Sequence, residues 1–138
     1  MTEPSPGTLV DSNVLFDLVH RDAAWVDWSR AAFAAAADDG PVLINLVVYA
    51  EVSVGFAAYE DFDDALAGAG VVRVGIPWEA GFLASRAFLQ YRRRGGMKRS
   101  PPPDFFIGAH AAVLGLRVLT RDASRYRTYF PTVELITP

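Results

Sequence analysis

The sequence of 138 residues contains no cysteine, only two histidines and a single lysine, Lys98. The absence of cysteine excludes disulfides, a thiolate nucleophile, and zinc or iron–sulfur centres bound by thiolates. No apolar run approaches the roughly 20 residues that a membrane-spanning helix requires, and no signal-peptide pattern is visible at the start. We therefore expect a cytoplasmic protein that does not enter a membrane.

The residues that are present have the composition of an ordinary globular chain, with 51% hydrophobic residues and scattered Pro and Gly. This length suits one core, so we predict a single domain over residues 1–138. A loose segment is expected at 1–7, where Pro4 and Pro6 oppose regular structure. The formal net charge of −3 argues against a general nucleic-acid coat protein, which is usually basic.

Short β-rich segments alternate with helical segments along the chain. Strands are predicted at 8–10, 42–44, 71–74, 118–119 and 133–136. Helices are predicted at 14–19, 23–37, 46–58, 61–67, 79–93 and 105–114. Because the strands are apolar and alternate with helices, the pattern predicts an α/β fold with a parallel sheet covered on both faces.

Four carboxylates lie in apolar surroundings: Asp11, Glu51, Asp104 and Asp122. A buried carboxylate is costly unless it has a hydrogen-bonding partner or a cation. Asp11 and Asp122 each follow a predicted strand directly, and parallel sheets bind ligands beyond the carboxyl ends of their strands. The four acids are therefore candidates for one shared cation site.

Three of these acids also have a structural explanation, which the sequence leaves open. Asp11 and Asp122 are suited to cap the segments that follow them, and Asp104, after three prolines, suits the first turn of a helix. Glu51 is different, because no Lys or Arg lies at helical spacing to pair with it. An isolated glutamate on an apolar helix is rarely structural.

Carboxylates gathered at one sheet edge repel one another and raise each other's pKa values, and one or two hard divalent cations relieve that repulsion. Oxygen ligands favour Mg²⁺ or Mn²⁺ over zinc or copper. Such a site can polarise a phosphoryl oxygen and activate water, which is the basis of metal-dependent phosphodiester hydrolysis. Hydrolysis by water predicts 5′-phosphate and 3′-hydroxyl products. Neither His20 nor His110 is needed as a catalyst, and His110 is expected to be a partly buried, satisfied side chain.

Four segments of the chain resemble the motifs of PIN-domain nucleases. The segment LVDSNVL at 9–15 is similar to their opening motif, and VYAE at 48–51 resembles the segment with the second acid. PDFFIGA at 103–109 is similar to the third motif, and LTRD at 119–122 to the fourth. The resemblance covers nearly the whole chain, and the subgroup it resembles most is the VapC-like toxins of bacterial toxin–antitoxin pairs.

The resemblance implies a three-layer α/β/α sandwich with a central parallel sheet, and a Mg²⁺- or Mn²⁺-dependent endoribonuclease. It also implies a small antitoxin protein that blocks the site, and usually a toxin homodimer. Carried over to this sequence, the metal ligands and catalytic acids would be Asp11, Glu51, Asp104 and Asp122. The polar residues that would orient carboxylates or water are Ser12, Asn13 and Thr120.

Apolar residues are abundant over 14–26 and 47–59. They can belong to the ordinary core, or they can form a groove for an antitoxin segment or a second subunit. Periodicity does not separate these two explanations.

A basic cluster precedes the third motif. It consists of Arg92, Arg93, Arg94, Lys98 and Arg99, with no acid among them. Its two explanations are a solvated helix end, where cations favour the helix dipole, and a contact with the RNA backbone. Because the cluster leads directly into the third motif, we predict the RNA contact.

Other enzyme classes with an aspartate after the first strand fit less well. A haloacid-dehalogenase-type phosphotransferase would place a second Asp where this chain has Asn13, and a receiver domain would need an early acidic pair and a late lysine. No nucleophile elbow or phosphate-cradling glycine motif is present. The alternative that remains is a PIN fold that binds RNA or protein without cutting. Such a module is expected to lack one or more of the acids, and this chain has all four.

Overall fold

The computed structural model describes residues 6–138 as five strands alternating with seven helices. The strands are β1 (Thr8–Val10), β2 (Val42–Ile44), β3 (Val71–Arg73), β4 (Arg117–Leu119) and β5 (Leu135–Ile136). The helices are α1 (Ser12–His20), α2 (Val26–Asp39), α3 (Leu46–Ser53), α4 (Tyr59–Gly68), α5 (Trp78–Arg93), α6 (Pro103–Leu114) and α7 (Ser124–Tyr129). The loose segment predicted at 1–7 lies largely outside the described residues. Within it, the Gly7 carbonyl accepts a hydrogen bond from the Arg117 N–H at 3.1 Å.

All five strands pair in parallel in one sheet, in the order β3-β2-β1-β4-β5, which confirms the predicted central parallel sheet. The chain builds outward from β1 to β3 and then returns to add β4 and β5 on the other side of β1. The strand order therefore reverses between β1 and β4, where parallel sheets bind ligands. Val10 pairs with Leu119, so Asp11 and Thr120 lie level with each other just beyond this point.

The strands form the centre of the core. Leu9, Val10, Ile44, Val118 and Leu119 have no solvent exposure. Strands of a parallel sheet are buried on both faces, so polar and apolar residues do not alternate along them. Each buried aliphatic side chain contributes about 1.5–3 kcal/mol to the stability of the fold. Among residues 6–138, no helix is long and apolar enough to cross a membrane.

Two helices differ from the sequence-based expectation. The helix predicted at 46–58 ends at Ser53, because the chain turns there and brings the Phe56 ring to 4.6 Å from the Phe62 ring on α4. No helix was predicted after Asp122, yet α7 forms and buries Tyr126 almost completely. The other elements agree with the prediction to within a few residues at their ends.

A buried ion pair joins α1 to the loop that follows β4. The Asp17 carboxylate, 2% exposed, accepts two hydrogen bonds from the Arg121 guanidinium, at 2.7 and 3.0 Å. It also accepts a hydrogen bond from the Ser29 hydroxyl on α2 at 2.6 Å. The guanidinium also lies 4.9 Å over the Trp25 ring, so Asp17 and Trp25 together hold this loop in place.

Gly108 allows α6 to pack closely against Phe130, the residue that follows the C-terminal end of α7. A Cβ atom at this position would overlap the Phe130 ring. Phe130 is 3% exposed and also packs edge-on against Phe105 at 6.0 Å. The absence of a side chain at Gly108 is therefore required by the packing of this ring, and this packing keeps α7 close to the helix that carries Asp104.

Candidate active site

A pocket of about 320 Å³ opens where β1 and β4 end. The residues that follow these two strands line it, together with residues of α1, α3, α6, α7 and the segment between α5 and α6. The pocket is lined by Asp11, Ser12, Asn13, Phe16, Glu51, Lys98, Pro102, Pro103, Asp104, Asp122, Arg125 and Tyr126. The four acids that the sequence singled out therefore lie in one pocket, together with two basic side chains.

Asp11 is the most enclosed of these acids, with 8% of its surface exposed. Its Oδ1 accepts a hydrogen bond from the Ser12 N–H at 2.7 Å, so it does cap α1. Its Oδ2 accepts from the Thr120 hydroxyl at 2.8 Å and from the Tyr126 hydroxyl at 2.8 Å. Capping and site formation are therefore not alternatives, because the two oxygens of one carboxylate serve both.

Asn13 and Thr120 tie α1 to the loop after β4. The Asn13 side-chain amide donates to the Thr120 hydroxyl at 3.2 Å and accepts from the Arg121 N–H at 3.1 Å. The Thr120 hydroxyl also accepts from the Asp122 N–H at 3.1 Å. Because this hydroxyl accepts from two donors, it is oriented to donate its own proton to Asp11.

Glu51 lies two residues before the end of α3, half-buried at the pocket wall. Its Oε1 accepts a hydrogen bond from the Ser12 hydroxyl at 2.6 Å. The helix is set in place by Asn45, whose side-chain oxygen caps it by accepting from the Val48 N–H at 3.1 Å. Ser12 thus contacts both Asp11, through its backbone, and Glu51, through its side chain.

Asp104 lies in the first turn of α6, after Pro103 at the helix start. Its two oxygens lie 3.3 and 3.5 Å from one nitrogen of the Arg125 guanidinium. Asp122 is an exposed residue of the pocket lining, and its Oδ1 accepts from the N–H and the hydroxyl of Ser124 at 3.3 and 3.1 Å. Asp122 therefore also orders the start of α7.

The pKa values of Asp11, Glu51 and Asp104 are all raised above the ordinary value, and burial is the largest cause in each case. The charge of Asp104 further raises the pKa of Asp11 and of Glu51, and the charge of Asp122 raises that of Asp104. The hydrogen bonds described above lower these pKa values and offset part of the effect. The acids are therefore close enough for the charge of one to raise the pKa of another.

The donor set suits Mg²⁺ or Mn²⁺, because the acids offer only oxygen and the pocket leaves room for water. Within residues 6–138, no three acidic or histidine side chains lie close enough together to hold one ion in this conformation. Asp11, Glu51 and Asp104 are each turned toward a donor of the protein itself. The residues fit the cation by chemical type and by location. To bind the cation, the carboxylates must give up some of their hydrogen bonds to protein donors.

The predicted basic cluster is only partly placed at the pocket. Lys98 lines it. The Arg92 side chain instead donates to the carbonyls of Gly96 and Lys98 at 3.2 and 3.0 Å, and Arg94 lies 5.5 Å over the Tyr129 ring. The two further members, Arg93 and Arg99, are exposed outside the set of residues that line the pocket.

Two pocket residues with a charged or hydroxyl group were missed by the sequence analysis, Arg125 and Tyr126. Both lie on α7, one turn beyond Asp122. They follow Asp122 by three and four residues. If a helix had been predicted here, this spacing would have placed both side chains on the same face as Asp122. Six residues are too few to show a helical period, which is why this signal was not visible.

Neither histidine lines the pocket. His20 is exposed and stacks on Phe16 with ring centroids 5.6 Å apart. His110 was expected to be partly buried and satisfied, but it has no exposure, and its Nε2 has no partner among residues 6–138. Its Nδ1 lies 3.3 Å from the Asn45 amide nitrogen, and burial lowers its pKa, which favours the neutral ring.

These features define an α/β protein in which a set of carboxylates meets the ligand-binding edge of a parallel sheet. A scan against family models matches the PIN domain over residues 8–131. The chain belongs to the PIN domain family, whose fold is a three-layer α/β/α sandwich, as the sequence predicted. A comparison with the sequences of curated proteins gave no significant match.

Solved structures with the same fold include three toxin–antitoxin complexes. VapBC2 from Rickettsia felis, bound to a DNA fragment from its promoter, has 14% identity and a TM-score of 0.70, with 94% of this chain and 97% of that chain covered. A toxin–antitoxin complex from Klebsiella pneumoniae has 23% identity, a TM-score of 0.68 and coverage of 96% and 98%. VapBC-1 from nontypeable Haemophilus influenzae has 15% identity, a TM-score of 0.69 and coverage of 94% and 96%. At these identities the likeness concerns the fold.

Proposed function

We propose that this protein is a Mg²⁺- or Mn²⁺-dependent endoribonuclease and the toxin of a toxin–antitoxin pair. The observation that carries the proposal is the meeting of four carboxylates in one pocket at the strand-order reversal of a PIN domain. Three of them have raised pKa values, as expected for acids assembled at a functional site rather than for surface charges.

The pocket residues would share the work of binding and orientation. Asp11, Glu51, Asp104 and Asp122 would hold the cation. A bound Mg²⁺ or Mn²⁺ would polarise a phosphoryl oxygen of RNA and lower the pKa of an attacking water. Asp11 is kept in place by hydroxyl donors from β4's loop and from α7, and Glu51 by the hydroxyl at the start of α1. The products would be a 5′-phosphate and a 3′-hydroxyl.

Sequencing of RNA 5′ ends after brief induced expression tests this proposal. Wild type should generate discrete new 5′-phosphate ends, and Asp11→Asn and Asp104→Asn should not. Asp61→Asn, which removes an exposed acid on α4, is the matched control and should cut like wild type. Folded wild-type protein that produces no new ends would contradict the enzyme proposal and favour a PIN-fold binding module.

An apolar groove supports the proposed antitoxin partner. It has a volume of about 340 Å³ and lies among α1, α2 and α4. Its walls are Leu15, Leu18, Val19, Phe33, Phe56, Phe62, Ala65, Leu66, Ala69 and Val71. Val14, Val48 and Val52, from the apolar ranges of the sequence, belong to the core. Four residues of the groove wall are buried as well, namely Leu15, Phe62, Leu66 and Val71. The apolar face that stays open is formed by Leu18, Val19, Phe33, Phe56, Ala65 and Ala69.

Co-purification with the product of the neighbouring reading frame tests this partner. Val19, 39% exposed at the groove, can accept a charge without unfolding the chain, so Val19→Glu should lose the complex and keep RNA cleavage. Val113→Glu, at a site 38% exposed on α6, is the matched control and should keep both. Equal retention of the complex by both variants would contradict the groove as the binding surface.

Self-association is supported by an apolar stripe on α5. Trp78, Phe82 and Leu89 lie at helical spacing and are 93%, 63% and 41% exposed. Large exposed apolar patches mark contact surfaces, so we place the homodimer contact here. Light scattering should give a dimer for wild type and a monomer for Phe82→Glu. A wild-type monomer at all concentrations would contradict the homodimer.

A further inference from the structure

Arg125 contacts one acid of the pocket, Asp104, directly. Its guanidinium lies 3.3 and 3.5 Å from the two oxygens of Asp104, and its side chain remains 35% exposed toward the pocket. Lys98 is the other basic residue that lines this pocket, and it lies on the exposed segment between α5 and α6. Arg125 is therefore the basic group that the fold holds against the acids.

Aromatic rings fix Arg125 independently of its ion pair. The guanidinium lies 5.5 Å over the Tyr91 ring and 5.9 Å from the Phe105 centroid. These rings pack edge-on against each other at 5.8 Å, and Phe105 has no exposure, so the cradle is part of the core. A guanidinium that loses its carboxylate would still be retained at the pocket by these rings.

The charge of the pocket gives Arg125 a role toward RNA. Four carboxylates repel a phosphodiester, and one divalent cation neutralises only half of their charge. Arg125 and Lys98 supply the two further positive charges that bring the pocket to neutrality. A planar guanidinium also matches two phosphate oxygens at once, which an ammonium group does not.

We propose that Arg125 binds the scissile phosphate of RNA, and that it exchanges Asp104 for this phosphate when Asp104 ligates a divalent cation. The proposal rests on the function proposed above and adds a residue outside the acidic set. Arg125 competes with the cation for Asp104 and cooperates with it on the phosphate. Removing its charge should therefore strengthen cation binding and weaken RNA binding.

These opposite signs are the basis of the experiment. Mn²⁺ binding is measured on the full chain by the electron paramagnetic resonance of free Mn²⁺. RNA binding is measured in Ca²⁺ by the anisotropy of a fluorescein-labelled, mixed-sequence single-stranded RNA, with a gel to confirm that the RNA stays intact. A mixed sequence suffices because a phosphate contact weakens binding uniformly across sequences.

The variants are Arg125→Gln, which removes the charge, Arg125→Lys, which keeps it, and Arg127→Gln as the control. Arg127 lies on the same helix, is exposed and is outside the set of residues that line the pocket. Should Arg125→Gln fail to unfold cooperatively, Arg125→Met replaces it, because its apolar stem keeps the contact with both rings.

Arg125→Gln should bind Mn²⁺ severalfold more tightly and RNA about tenfold more weakly. Its plot of log affinity against log salt should flatten by about 0.7, the slope of one phosphate contact on a single strand. Arg125→Lys should recover most of that slope, and Arg127→Gln should match wild type in both assays. An unchanged slope in Arg125→Gln, or weaker binding of both Mn²⁺ and RNA, would overturn the proposal.

The wild-type chain separates this proposal from the one on which it rests. If wild type binds Mn²⁺ and cuts RNA while Arg125→Gln does both equally well, only the role of Arg125 is wrong. If wild type binds neither Mn²⁺ nor RNA, both proposals fail together.

Discussion

The hydroxyl of Tyr126 allows the strongest test of how the pocket is built. Tyr126→Phe removes one of the three hydrogen bonds that Asp11 accepts and leaves the ring in place. Tyr126 is 1% exposed, so little water can reach the position of the lost hydroxyl. A hydrogen bond to a charged group contributes about 1.5–3 kcal/mol, so we expect the free energy of unfolding to fall by about 2 kcal/mol at neutral pH.

The loss should depend on pH with a definite sign. The pKa of Asp11 is raised by burial, and the Tyr126 hydroxyl lowers it by favouring the ionised form. Tyr126→Phe therefore raises the pKa of Asp11 further and destabilises the ionised state in particular. At acidic pH, below the raised native pKa of Asp11, the bond joins two neutral groups and its loss should fall to about 1 kcal/mol.

Urea unfolding in EDTA, followed by tryptophan fluorescence, measures both values. Tyr129→Phe is the matched control, because it deletes a hydroxyl from the same helix that has no hydrogen bond within residues 6–138, and it should change stability by less than about 0.5 kcal/mol. A loss for Tyr126→Phe that is equal at both pH values, or no larger than that of Tyr129→Phe, would refute the contact with an ionised Asp11.

Four further outcomes are expected. In EDTA, Asp104→Asn should be more stable than wild type, because the raised native pKa of Asp104 means that its ionisation opposes folding. This penalty on wild type is absent below the unfolded pKa of 3.8 and grows as pH rises through the native pKa. The stability advantage of Asp104→Asn in urea unfolding should therefore grow over the same pH range. Mg²⁺ at about 100 times its Kd should stabilise wild type by about 2.7 kcal/mol in a thermal melt, and a chelator should reverse this. Gly108→Ala should lower the unfolding free energy by about 1–3 kcal/mol, because the added methyl group overlaps an aromatic ring. Gly81→Ala, at a helix position with open space around it, should instead raise the unfolding free energy by about 0.5–1 kcal/mol. Arg121→Met should cost about 3 kcal/mol in urea unfolding, because it leaves the buried carboxylate of Asp17 without its cation.

The sheet and two of the acids were predictable because their signals are local. Strands of a parallel sheet must be apolar throughout, and the residue after such a strand lies at the ligand-binding edge, which is how Asp11 and Asp122 were located. Glu51 was found as a charge without a helical partner, and the structure gives it a hydroxyl from another helix instead. These inferences needed only spacing along the chain.

The remaining features depend on contacts across the fold. The carboxylate of Asp104 is 21 residues from its cation Arg125, and no periodicity connects them. The basic cluster was predicted to act as a unit, but Lys98 is its only member that lines the pocket. The Arg92 side chain at the end of α5 contacts backbone carbonyls, and the Arg94 side chain lies over an aromatic ring. Charge density along a sequence does not indicate which way the side chains project.

The sign of each stability change distinguishes acids retained for function from acids retained for structure. A structural carboxylate stabilises the native state, so its removal weakens the fold. The raised pKa values of Asp11, Glu51 and Asp104 mean that ionisation opposes folding, and the hydroxyl and guanidinium donors around them only reduce that penalty. Selection that tolerates such a penalty is typical of a functional site. A catalytic pocket therefore predicts a variant such as Asp104→Asn, which gains stability and loses cleavage, beside Tyr126→Phe, which loses stability. A structural cluster of acids does not predict the first of these outcomes.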